Sequence, residues 1–83
     1  MDVMGAKFTK LIADVLRIKE GDVKDSVSIG SIDTWDSLKH MELIVAIEQE
    51  YGISLTADEI VSMVNVGAIK GVLKNKGVGI DGD

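Results

Sequence analysis

A chain of 83 residues with a net charge of −5 and no cysteine is one small domain with an apolar core, since neither a disulfide framework nor a thiolate-bound metal can hold it together. The acidic balance excludes nucleic-acid binding, which needs a basic footprint to displace phosphate counterions. The first residues, MDVMGAKFTK, lack a basic region leading into a long apolar one, and no run approaches the roughly 20 apolar residues of a membrane span, so a soluble cytoplasmic protein is expected.

The first predicted element is an amphipathic helix from about Asp2 to Arg17, because Phe8, Leu11, Ile12, Val15 and Leu16 recur at three-and-four spacing. From Ile18 to Trp35 the periodicity breaks at Gly21 and Gly30 among turn-forming Asp and Ser residues. A connection longer than roughly 12 to 15 residues is usually functional or disordered. Here Val23, Val27, Ile29 and Ile32 predict an ordered loop pinned to the bundle. A second helix should begin at Asp36 or Ser37 and stop at Gly52, where glycine can take the left-handed conformation. Thr56 and Glu59 have the spacing of a capping box, so a short third helix should start there and end near Val64. Asn65 can cap a fourth, which buries Val66, Ile69, Val72 and Leu73 and ends between Lys74 and Gly77. With no proline, repeat or strand alternation, the prediction is an all-α four-helix bundle, three main helices and a short third one. The domain should span residues 1–77, with 78–83 a flexible tail.

The second helix carries two apolar faces. At 100° per residue, Leu43, Ile44, Ile47 and Tyr51 share the arc that must meet the other helices. Leu38, Met41 and Val45 project from the opposite side among Glu42, Glu48 and Gln49, a stripe that a monomeric bundle does not need. An apolar strip flanked by carboxylates suits docking to a partner with a basic rim and a shallow apolar groove. Covering by the third helix or the long loop is the structural alternative. Charge is uneven in the same sense: residues 33–59 hold seven acidic side chains against one basic, residues 1–32 hold five of each, and residues 60–83 hold three basic against two acidic. Such a concentration steers a basic partner, or is a solvated face.

Asp36-Ser37 opens the second helix. Both residue types cap helix starts, because their oxygens accept free backbone amides. A hydroxyl there is also open to a modifying enzyme, and a phosphodiester on it would lie beside unpaired amides and the positive end of the helix dipole. The two roles can coexist.

The run Asp33-Thr34-Trp35-Asp36-Ser37-Leu38, followed by the acidic helix through Glu42 and Glu48 to Glu50-Tyr51-Gly52, resembles the acyl carrier protein family and its Asp-Ser-Leu attachment motif. The resemblance extends to Val15-Leu16, the Ile18-to-Ile32 loop, Ile53-Ser54-Leu55 and the last helix through Leu73. It implies a free-standing carrier, not an enzyme. A phosphopantetheinyl transferase would place 4'-phosphopantetheine from coenzyme A on Ser37, flanked by Asp36 and Leu38. The terminal thiol of that arm would hold acyl cargo as a thioester, fitting a chain that has no thiol of its own. It further implies partner recognition by Leu38, Met41, Glu42, Val45 and Glu48. Acyl-loading, elongating or transfer enzymes with basic docking surfaces would be the partners of a monomeric carrier. An aliphatic chain would be sheltered by Leu43, Ala46, Ile47, Ile60 and Met63. Lys39, Val61 and the Thr34-Trp35 pair depart from fatty-acid carriers. Fatty acid, polyketide and specialised lipid or secondary-metabolite pathways therefore all stay open, as does aminoacyl or other non-fatty cargo. An unmodified helical adaptor is the remaining alternative.

Other constellations carry less. His40 lies one turn from Ser37, but no third group is evident to orient its ring and no strand-turn-helix elbow supplies an oxyanion site, so it is expected at the edge of the core face. Gly77, Gly79 and Gly82 match a dinucleotide-binding spacing without the strand and helix that motif needs. Asp22, Asp25, Asp81 and Asp83 lack calcium-loop spacing, and one histidine cannot anchor a transition metal, so no metal is expected. Met1, Met4, Met41 and Met63 read as packing residues, with Met41 also a docking contact.

Overall fold

A computed structural model describes residues 3–78. It contains four α-helices: α1 (Val3–Leu16), α2 (Ser37–Tyr51), α3 (Ala57–Ser62) and α4 (Val66–Asn75), with a 3-10 turn at Glu20–Asp22 in the long loop. No extended strand forms among these residues. The predicted all-α bundle and its long first connection are both present. The expected start at Asp2, most of the tail with Gly79, Asp81, Gly82 and Asp83, and the packing of Met1 and Met4 lie outside what is described. Val78 packs against the core.

The predicted stripes meet in one apolar cluster. Phe8, Ile12 and Leu16 of α1 bury against Leu43, Ile44 and Ile47 of α2 and Val66, Ile69 and Leu73 of α4, with Met63 and Trp35 filling the centre. Burial of such side chains stabilises by roughly 1.5–3 kcal/mol each, so this cluster sets the fold. The loop residues Val23, Val27, Ile29 and Ile32 pack on it, as their spacing predicts.

Helix ends follow local chemistry. α1 stops at Leu16, one residue short of the expectation, because Arg17 turns left-handed at φ 59° and the Ile18 amide reaches back to the Ala13 carbonyl at 3.1 Å. The same closure ends α2 at Gly52 (φ 64°), with Ile53 bonded to the Glu48 carbonyl, and follows α4 at Gly77 (φ 85°), with Val78 bonded to Leu73. Thr56 and Glu59 form the capping box, but α3 ends at Ser62, before the expected Val64. The Val64 carbonyl instead accepts the Ile29 amide of the loop at 2.9 Å, which draws the chain out of the helical path.

The loop also closes the head of α4. Asn65 Oδ1 accepts the Ala68 amide at 2.7 Å, the Val27 carbonyl accepts Val66 at 2.9 Å, and the Asp25 carbonyl accepts Gly67 at 3.1 Å. All three leading amides of that helix are satisfied, and the Lys70–Asp25 ion pair at 2.9 Å fastens the same crossing.

Candidate functional site

Ser37 is the first residue of α2 and is exposed. The helix starts there because Asp36 is extended (φ −110°, ψ −172°) and its Oδ1 accepts the Lys39 amide at 2.8 Å, while its carbonyl accepts the His40 amide at 2.9 Å. That cap satisfies one leading amide. The amides of Ser37 and Leu38 meet no acceptor among the described residues, as first-turn geometry dictates. The serine hydroxyl therefore stands in solvent beside two open N–H groups, at the positive end of a 15-residue helix.

His40 is half-buried and fully engaged. The Trp35 Nε1–H donates to its Nδ1 at 3.1 Å, and its Nε2 lies 3.1 Å from the Ile60 carbonyl. An indole only donates and a carbonyl only accepts, so the ring is neutral with its proton on Nε2. Two groups orient the imidazole where the sequence suggested none. Because they occupy both nitrogens, no base remains for Ser37, and a serine-histidine nucleophile is set aside. Trp35 is the residue that sequence reasoning undervalued: it is fully buried. A large apolar side chain two positions before a helix start was the available signal.

The outer stripe of α2 faces solvent as its spacing predicts, with Leu38 71%, Met41 50% and Val45 49% exposed. Val61 on α3 and Val64 just after it are exposed as well. The carboxylates of this region are mostly committed. Glu42 pairs with Lys39 at 3.0 Å, Glu50 with Lys7 at 2.9 Å and Glu59 with Lys76 at 3.1 Å. Asp36 caps α2, and Glu48 turns its Oε2 to the Leu55 amide at 2.8 Å. Among the described residues only Asp33 and Asp58 of the seven acids in 33–59 lack such a partner. The Thr56 backbone amide, and then Lys76, hold the Glu59 carboxyl below the usual glutamate range.

Of the expected lining residues, Leu43, Ile47 and Met63 are fully buried, Ile60 packs against the same cluster, and Ala46 is half-buried. A cleft of about 260 Å³ lies toward the opposite end of α2, lined by Lys7, Lys10, Leu11, Asp14 and Glu50. Its charges pair with one another, Lys7 with Glu50 and Lys10 with Asp14. Among the described residues no group of three or more His, Asp or Glu side chains is placed to hold a metal ion, and no helix is long and apolar enough to cross a membrane.

Comparison with known proteins is informative over most of the chain. Residues 6–73 match the family described as Phosphopantetheine attachment site. The acyl carrier protein of Nitratidesulfovibrio vulgaris (strain Miyazaki F) is 34% identical over 70 residues, covering 84% of this chain and 92% of that protein.

Proposed function

Because the chain belongs to the acyl carrier protein family, a family of carriers and not enzymes whose prosthetic group is covalent 4'-phosphopantetheine, we propose that Ser37 is the residue that bears the arm. The observation that carries this reading is the open head of α2: an exposed hydroxyl beside the unpartnered Ser37 and Leu38 amides. These groups fit a phosphodiester, whose oxygens accept from backbone N–H groups at a helix start. The Asp36 carboxylate is held back by the Lys39 amide, which keeps that end of the helix formed while the hydroxyl stays accessible. When attached, the arm supplies a thiol that the sequence lacks, and that thiol holds the cargo as a thioester.

The partners are a phosphopantetheinyl transferase and enzymes that load, extend or transfer acyl groups in a fatty acid, polyketide or specialised lipid pathway. Leu38, Met41 and Val45 form the docking stripe, with Glu42 at its edge. Glu48 contributes charge to that surface while its Oε2 stays on the Leu55 amide. Since Glu42 already holds Lys39, docking relies on apolar contact more than on long-range attraction. An aliphatic chain would enter between α2 and α3, along Leu43, Ala46, Ile47, Ile60 and Met63. Support for this path is the make-up of α3, which contributes no fully buried side chain and is therefore the helix that can part from the core at least cost.

The test is intact-protein mass after incubation with coenzyme A and a promiscuous phosphopantetheinyl transferase. The wild type should gain one arm, and Ser37→Ala none. An unmodified wild type, or an arm retained by Ser37→Ala, contradicts the assignment.

A further inference from the structure

The contact between Trp35 and His40 is not needed to attach an arm, yet it brackets the attachment serine. The Trp35 backbone belongs to the loop: its N–H donates to the Ile32 carbonyl at 3.3 Å, and its carbonyl accepts the Gly30 amide at 3.0 Å. Its side chain belongs to α2 through the 3.1 Å bond to His40 Nδ1, and the two rings stack with centroids 5.9 Å apart at 28°. His40 in turn reaches α3 through the Ile60 carbonyl. Ser37 lies on the short stretch between these two residues, so its placement relative to the loop depends on their contact.

The geometry permits only one protonation state. Trp35 is fully buried and its indole has a single donor, whose partner is His40 Nδ1. A second proton on the ring would set N–H against N–H at this separation and leave a buried donor without an acceptor, which carries the full desolvation penalty of that group. The Nε2 bond to Ile60 would be unaffected, because that nitrogen already holds its proton. We propose that His40, as the neutral Nε2–H tautomer, is a positioning residue that fixes the segment leading into Ser37, and that a second ring proton releases Trp35 while leaving α3 in place.

The charged residues on the elements joined here are Lys19, Glu20, Asp22, Lys24, Asp25 and Asp33 in the loop, Asp36 at the cap of α2 with Lys39, Glu42, Glu48 and Glu50 along that helix, and Asp58 and Glu59 on α3. None bonds to the ring: Asp36 caps α2, Lys39 pairs with Glu42, and Glu59 is held by Thr56 and Lys76. His40 is the only histidine, so a change at imidazole nitrogens is assignable to that residue.

The experiment is a pH titration of the unmodified, nitrogen-15-labelled chain from about pH 8 to about pH 5. It follows the His40 ring nitrogens, the Trp35 indole N–H and the backbone amides. At the alkaline end the ring should be the Nε2–H tautomer. On acidification the indole N–H and the Ser37 and Leu38 amides should shift with the same midpoint as the imidazole, indole exchange with solvent should quicken by about tenfold or more, and the α3 amides should hold still. His40→Gln, which keeps a donor and an acceptor but does not titrate, should remove the step. An Nδ1–H tautomer, an imidazole that titrates while the indole stays fixed, or a step that survives in His40→Gln would overturn the proposal. Should His40→Gln not fold, the tautomer and the shared midpoint in the wild type still decide. The functional consequence rests on Ser37 being the attachment residue, but the readouts do not: Ser37→Ala should titrate identically, so the clamp and the carrier assignment fail separately.

Discussion

The heads of α2 and α4 are built from the same local chemistry and are covered differently. Each begins at an extended residue whose side chain accepts the amide three positions on, Asp36 for Lys39 and Asn65 for Ala68. In α4 the long loop then supplies the Val27 and Asp25 carbonyls to the next two free amides, and the first helical residue, Val66, is fully buried. In α2 the corresponding amides stay open, and the first residue, Ser37, is exposed. A capping pattern alone therefore does not distinguish a closed helix head from an open one. What the rest of the chain lays across it does.

Substitutions at the two heads sharpen the contrast, and the largest effect is expected at the closed head. Val66→Ala removes buried methyl groups from the core and should cost about 2 kcal/mol in urea unfolding, whereas Leu38→Ala, on the open head, should stay within about 0.5 kcal/mol of wild type. Equal losses would mean that the α2 head is packed after all. Next come the caps: Asn65→Ala and Asp36→Ala should each cost about 1 kcal/mol. Amide exchange should separate them, quickening at Lys39 alone for Asp36→Ala but also across the loop crossing at Asp25 and Val27 for Asn65→Ala.

The short helix between the two heads provides a smaller, pH-dependent test. The folded Glu59 carboxyl titrates below its ordinary value, so its contribution is complete above the unfolded value of about 4.3 and disappears as pH falls through the lower folded one. The α3 amides should exchange faster on acidification through that range, and Glu59→Gln should abolish this acid-dependent change. The smallest stability effect belongs to the exposed stripe. Val45→Glu should leave the unfolding midpoint within error while weakening acyl transfer to a partner enzyme. A matching loss of helix content would place Val45 in the core.

Much of this was legible in the sequence, because caps and stripes are written in side chains. Asp36, Thr56 with Glu59, Asn65 and Gly52 mark helix ends in any context, and Leu43, Ile44 and Ile47 could face only inward. The loop crossing at α4 was not legible, since its acceptors are the backbone carbonyls of Asp25 and Val27, which every residue has. Arg17 takes a left-handed conformation that usually signals glycine. Glu48 looked like an outward docking charge but bends to the Leu55 amide. The His40 ring found its partners in a loop tryptophan and a carbonyl 20 residues away. At the candidate site, Ser37 and the apolar stripe came from motif and spacing, while the openness that sets this head apart came only from the path of the loop.

The most direct test of that openness is the position of the arm. After enzymatic transfer from coenzyme A, proteolysis and fragmentation mass spectrometry should place phosphopantetheine on Ser37 and on no other hydroxyl. An arm found on Ser31, Ser54 or Ser62, or spread among several serines, would contradict the claim that the unclosed head of α2 is the attachment point.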